Sequence, residues 1–241
     1  MKFRMSFVLL LSLLAPYASS AQDDDMKSTI QPNWEQEYEK RHTELISQNG
    51  SGTDTALAKR LLAMRDKDQA ARGLHDGVPS NAAGNAATAP NLAEIDHELT
   101  EQLKEIVREK GWPTISLVGI DASDGAMLIL IHTADHEWQH AMLPELEKLA
   151  KANKIDGSGI ALVVDKELVA AGKLQRYGSQ FKFVDGEMEM YAVEDPSGLN
   201  RRRFEMLLPP MDVYLRLMAQ LYHLKASGKI AIATPEKPVS H

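Results

Sequence analysis

The run DKELVAAGKLQRYGSQ, from Asp165 to Gln180, together with the Asp185-Gly186 pair just beyond it, decides the fold. Around Asp165 the apolar residues Ala161, Leu162, Leu168 and Val169 recur at helical spacing, and Gly172 supplies the left-handed residue on which such a helix ends. Beyond it the period changes to two. Phe181-Lys182-Phe183-Val184 and Glu187-Met188-Glu189-Met190 flank Asp185-Gly186, a dipeptide suited to a type I′ turn because both of its positions need positive φ. A two-residue turn sets Val184 opposite Glu187, Phe183 opposite Met188, Lys182 opposite Glu189 and Phe181 opposite Met190. That register gathers Phe181, Phe183, Met188 and Met190 on one face, and a slip of one residue would mix the faces. Carrying the alternation back places Gln175, Tyr177 and Ser179 on the apolar face unless Gly178 marks a bulge.

Outward from this unit the chain reads as helices. Trp34 to Ile46 is a charged helical segment closed by Asn49-Gly50-Ser51-Gly52. Thr53 or Asp54 caps a helix over 55–72, with Leu57, Leu61, Leu62 and Met64 at helical spacing and Asp68, Gln69 and Arg72 on its polar end. Gly73 to Pro90 is low in complexity and reads as a linker. Asn91 and Glu94 open a helix to about Lys110, and Gly111 and Trp112-Pro113 end it. Ser123 caps a segment through Ile131 that is apolar nearly all round, so its place is the centre of a core. Helices over 138–152, around Pro144, and over 160–171 follow. Asn200 caps a last helix interrupted by Pro209-Pro210, with Tyr214, Leu217, Met218 and Leu221 as its later stripe.

These readings predict an α+β protein, predominantly helical, with one β-hairpin over about 173–193 packed on a helical core. They divide the chain into a signal peptide over 1–21, a helical extension and linker over 22–90, a core domain over 91–226 and a flexible tail over 227–241. Lys2 and Arg4, the apolar run Phe7 to Ala15 and the small residues Ser19-Ser20-Ala21 form the signal pattern. The apolar run is shorter than the roughly 20 residues a membrane span needs, so cleavage is expected and no span remains afterwards. The chain has no cysteine, which excludes disulfides and a diacylated anchor. A periplasmic or secreted location is expected. Loss of Lys2 and Arg4 takes the formal charge from −7 to −9, and an acidic chain without a basic stripe argues against nucleic acid as a partner.

Chemistry is expected where polar groups fall in costly places. A carboxylate on an apolar helix face, as at Asp165, has to be paired or hydrogen-bonded. Arg201, Arg202 and Arg203 occupy the first turn of a helix, where the macrodipole disfavours cations. Both costs are relieved if Asp165, or Asp135, meets one of these arginines, either in a buried ion pair that holds the last helix to the hairpin or with one arginine, Arg202, left free to bind a small anionic ligand. On a continuous helix His132, Asp135 and Gln139 share a face that could polarise water, hold a ligand or form a polar seam. His136-Glu137-Trp138-Gln139-His140 matches HExxH, which on a helix offers two imidazoles to zinc. No third ligand stands at the extended spacing and Pro144 disturbs the next turn, so no metal is assigned, with His136 and His140 as the alternative. No phosphate loop, nucleophile elbow or cysteine nucleophile is present, and no cofactor is implied.

Several stretches together resemble a bacterial family known only as a domain of unknown function, family 6624. They are Gly111-Trp112-Pro113-Thr114 with Val118-Gly119, Ala134-Asp135 with Gln139 and Leu143-Pro144, Asp165, Gly172 to Gln180, and Asn200-Arg201-Arg202. Asp68-Gln69 with Arg72 resembles that family's upstream helix. The likeness covers roughly residues 55 to 222 and is most specific at Gln175 to Gln180, a Q-x-Y-G-[ST]-Q pattern. The family's His-Ala-Asp reads His132-Thr133-Ala134-Asp135 here, so its histidine falls on Thr133 and His132 takes the place of a preceding glutamine. Its Asp-Arg becomes Asp165-Lys166, and a glycine expected after the arginines is missing near Met206-Leu207. His136 and His140 are outside its characteristic positions. The resemblance implies no activity. The functional expectation is therefore an envelope binding or interaction protein, its partner a protein or a small anionic ligand. The alternative is a hydrolase whose pocket draws on Asp135, Gln139, Asp165, Gln175, Tyr177, Gln180 and Arg202.

Overall fold

The computed structural model describes residues 34–75, 78–79, 89–222 and 224–235. The leader-like segment 1–21, the stretch to residue 33 and most of the expected linker lie outside the described residues. Packing of the backbone divides the described residues into two units, 43–159 and 34–42 with 160–235.

The first unit is helical. The end of α1 (Trp34–Asn49) leads into α2 (Thr55–Ala71), whose first turn is capped by Asp54, with Oδ1 accepting from the Leu57 N–H at 2.9 Å. Two short strands, β1 (Leu74–His75) and β2 (Val78–Pro79), pair within the expected linker. Then come α3 (Leu92–Lys110), α4 (Ile115–Val118), α5 (Ile120–His132) and α6 (His136–Lys151). Helix α5 is the centre: Met127, Leu128, Ile129 and Leu130 are all buried, and α2 and α3 pack against it. An all-round apolar helix has no solvent face to offer, so it is stable only when surrounded. Helix α5 starts three residues before Ser123, which is buried inside it and does not cap it. The loop ahead of α2 crosses the α4–α5 junction so closely that a Cβ on Gly52 would lie 2.4 Å from the Gly119 nitrogen. Both glycines have positive φ, and a Cβ on Gly119 would lie 2.8 Å from the Ser51 carbonyl oxygen, so each position needs glycine for conformation and for space.

The second unit contains most of α7 (Ser158–Ala170), followed by β3 (Phe181–Val184) and β4 (Glu187–Tyr191). A 3₁₀ turn at Pro196–Gly198 precedes α8 (Leu199–Glu205), α9 (Met211–Tyr222) and β5 (Lys225–Ala231). The hairpin pairs as the turn chemistry requires: Phe181 with Met190, Lys182 with Glu189, Phe183 with Met188 and Val184 with Glu187. Asp185 and Gly186 both have positive φ, 48° and 78°. Met188 is fully buried, and the Phe181 ring lies tilted against that of Tyr214 of α9, with centroids 5.9 Å apart. Strand β5 adds to β4 in parallel, giving the order β3-β4-β5, so the segment expected to fray from Ser227 is sheet as far as Ala231.

The architecture is α+β and predominantly helical. Gln175 to Gln180 is an irregular loop, with an isolated bridge from Gln175 to Val193 and a Tyr191 N–H bond to the Gln180 carbonyl, so the expected alternation of Gln175, Tyr177 and Ser179 along a strand does not occur. Asn200 lies inside α8, which it does not cap; its Oδ1 accepts from the Met211 N–H at 2.9 Å, the first donor of α9, and so ties α8 to α9 across Pro209-Pro210. No helix among the described residues is long and apolar enough to cross a membrane.

Candidate functional site

In the second unit the polar residues of the Gln175–Gln180 loop are joined to one buried acid. Asp165 is completely buried on α7 and accepts from the N–H groups of Arg176 (2.7 Å), Tyr177 (3.0 Å) and Ser179 (2.8 Å). Gly178, at φ 69°, makes the reversal that aims these donors inward. The loop's carbonyls face the opposite charge. Arg202 Nε donates to the Arg176 carbonyl at 2.9 Å, and its Nη2 reaches the carbonyls of Glu194 (2.5 Å) and Asp195 (3.0 Å). Arg203, also completely buried, donates Nη1 to the Tyr177 carbonyl at 2.5 Å and Nε to the Pro209 carbonyl at 2.7 Å, and lies 4.5 Å above the Tyr214 ring. Burial pushes the Arg203 guanidinium down to about 10, with Tyr214, Asp165 and Asp212 pulling the other way.

The expected meeting of Asp165 with the arginine triplet thus takes place through the backbone. Tyr177 gives its N–H to the anion and its carbonyl to the cation. Gln175 closes the loop from the side: its Oε1 accepts from the Gln180 N–H at 2.9 Å, and its Nε2 donates to the carbonyls of Tyr191 (2.6 Å) and Gln180 (3.2 Å). Gln180 donates to Ser179 Oγ at 3.1 Å. Arg202, the expected anion binder, directs its donors at its own chain, and Arg201 is exposed. Sequence reasoning favoured Arg202 over Arg203, although Leu199, Arg203 and Met206 stand at helical spacing on the buried face of α8.

His132, Asp135 and Gln139 belong to the first unit. They do not share the face of one helix, because the chain breaks between α5 and α6 at Thr133 to Asp135. Asp135 caps α6, its Oδ1 accepting from the Trp138 N–H at 2.9 Å, and meets Lys104 at 2.6 Å. The Lys104 hydrogen bond, then the Trp138 N–H, hold its carboxyl below the usual carboxylate range. Gln139 is buried and donates Nε2 to the Leu130 carbonyl at 2.6 Å, satisfying one of the orphan carbonyls at the end of α5. Thr133, where the resemblance put the family histidine, is buried; its Oγ1 accepts from the Asp135 N–H and lies 2.9 Å from Thr100 Oγ1.

His132 enters a second assembly, at the meeting ends of α2, α3 and α5. Its Nδ1 lies 2.8 Å from Asp68 Oδ1 and 2.9 Å from Arg72 Nε. One nitrogen cannot serve both: protonated it donates to Asp68, unprotonated it accepts from Arg72. Arg72 Nη2 donates to Asp96 at 2.6 Å and lies 3.4 Å from Asp68, which also accepts from Gln69 Nε2 at 3.0 Å. Burial pushes the Asp68 carboxyl up, but the bond and charge of His132, with Arg72 and Gln69, outweigh it and hold the group below the usual range. Asp68 is only 1% exposed, whereas Arg72, Asp96 and His132 keep 17, 15 and 15% of their side-chain surface in solvent. Asp96 was missed by sequence reasoning, since nothing in the α3 pattern marks a partner on another helix. His136 and His140 are both exposed, and among the described residues no three His, Asp or Glu side chains gather in a way that could hold a metal ion.

No curated protein and no solved structure matches the chain. A family model does match, over residues 55–227, so that the match takes in α2 through α9, the buried acid with its loop, and the Asp68–Arg72–Asp96–His132 group. The chain belongs to that family, a family of unknown function named DUF6624.

Proposed function

We propose that this chain is exported and acts in the periplasm or outside the cell as a binding protein, with Arg72, Asp96 and His132 as its ligand-contacting group. The observation that supports this reading is the contrast between the two polar assemblies. Asp165, Gln175 and Arg203 are closed off at 0% exposure and bonded to their own chain. Arg72, Asp96 and His132 are held on the same kind of internal bonds, yet each keeps part of its surface in solvent. Recognition sites combine those two properties, fixed geometry and access.

Export is supported by the leader pattern over 1–21 alone. Asp68 behind His132 favours a second reading, a hydrolase in which a carboxylate-oriented imidazole serves as base.

The test has two parts. Cell fractionation with N-terminal sequencing is expected to find mature protein beginning near Gln22 in the periplasm or medium; full-length protein in the cytoplasm contradicts export. Capture from envelope extract is then compared between wild type and folded His132→Gln. Loss of a captured molecule in the variant supports the binding group, and identical capture contradicts it.

A further inference from the structure

The unused atoms of the Arg72–Asp96–His132 group define what it can hold. A guanidinium has five N–H donors, and the internal bonds of Arg72 use its Nε and Nη2 edge, on His132, Asp96 and Asp68. Its Nη1 has no partner among the described residues. His132 is fixed through Nδ1, which leaves Nε2. Asp96 accepts from Arg72 on Oδ1, which leaves Oδ2. The group therefore presents one cationic donor, one carboxylate oxygen and one imidazole nitrogen.

Charge decides which ligand suits these three atoms. Asp68 and Asp96 carry two negative charges against one on Arg72, or two when His132 is protonated, so the group has no excess of positive charge to attract a bare anion. A bare cation would meet the open Arg72 Nη1 and be repelled there. A metal ion is disfavoured for the same reason, since the guanidinium bonds to Asp96 and pairs with Asp68 at 3.4 Å. A molecule bearing both signs matches these open atoms in charge: its ammonium is the partner for Asp96 Oδ2 and its carboxylate the partner for Arg72 Nη1. His132 Nε2 bonds to the carboxylate as a donor whenever Nδ1 accepts from Arg72 or the ring is protonated.

We propose that Arg72, Asp96 and His132 bind a small zwitterion of the α-amino-acid type. This rests on the reading of the same group as a ligand site and adds the ligand's chemical class. Buried Asp68 is the positioning residue: it fixes His132 and Arg72 without being open itself.

The test is thermal unfolding of the purified mature protein with glycine, L-alanine and D-alanine at millimolar concentration, against acetate and methylammonium as single-charge controls. The expected result is a rise in Tm of a few degrees with at least one zwitterion and none with either control. In Asp96→Asn, which keeps an oxygen for Arg72 but removes the open charge, the rise is expected to disappear. A parallel ¹H–¹⁵N spectrum of the wild-type imidazoles is expected to show the His132 signal moving with the zwitterion, independently of any variant's stability. No shift with any zwitterion, an equal shift with acetate or methylammonium, or an undiminished shift in Asp96→Asn overturns the assignment. If these fail while His132→Gln still loses an envelope partner, the ligand class is wrong and the binding reading survives; if both fail, so does the site.

Discussion

Asp165 shows how a buried charge can be held without a countercharge in contact. Three backbone N–H donors surround it, and the buried guanidinium of Arg203 bonds to the far side of the same loop. Hydrogen bonds to an ionised acceptor are about twice as strong as neutral ones, and a low-dielectric surrounding strengthens them further. Asp165→Asn would set an amide NH₂ against donors that need an acceptor. Removing one side of a buried charged network costs about 3–5 kcal/mol, and a loss of that size is expected in denaturant unfolding of the variant. A loss below about 1 kcal/mol would mean that the loop does not depend on this acid. The need for a partner at Asp165 was legible in the sequence, because the residue stands among Ala161, Leu162, Leu168 and Val169. The partner's nature was not. Backbone donors leave no mark in a residue pattern, so an arginine was the visible candidate and the loop amides were not.

At the scale of elements, what could be read was what local chemistry fixes. The hairpin register follows from two positions that need positive φ and from alternation on either side. The helix starting after Asp54 follows from a cap and an apolar stripe. Strand β5 follows from neither: its Lys225-Ala226-Ser227-Gly228-Lys229 run has little alternation, and it pairs in parallel with a strand more than 30 residues earlier. The break between α5 and α6 was hidden because His132, Asp135 and Gln139 stand at steps that a continuous helix would also produce. The sheet's packing can be tested on one cross-strand pair. Met188 is fully buried and Phe183, directly opposite, is 52% exposed. Met188→Ala is expected to cost about 2–5 kcal/mol, and Phe183→Ala, although it removes a larger side chain, less than about 1 kcal/mol. Equal losses in denaturant unfolding would place the two residues in the same environment and contradict the packing.

For the whole molecule, the mixture of long helical stripes with one alternating segment was enough to fix the class, α+β and mostly helical. The candidate site was less legible for a topological reason. Asp68, Asp96 and His132 come from the ends of three helices and are joined only by the packing of α2 and α3 on α5. The HExxH-like stretch has the opposite character, a clear local pattern whose His136, Glu137 and His140 the fold leaves exposed. The proposal divides the labour: the loop carrying the most distinctive residues maintains the fold, and recognition is assigned to the partly open group in the other unit. Native-state amide hydrogen exchange tests this most directly, because it separates groups that open locally from those released only by global unfolding. The account predicts that the amides of Arg176, Tyr177 and Ser179 exchange as slowly as those in the core of α7. Exchange of these three at the rate of an exposed loop, while α7 stays protected, would contradict it.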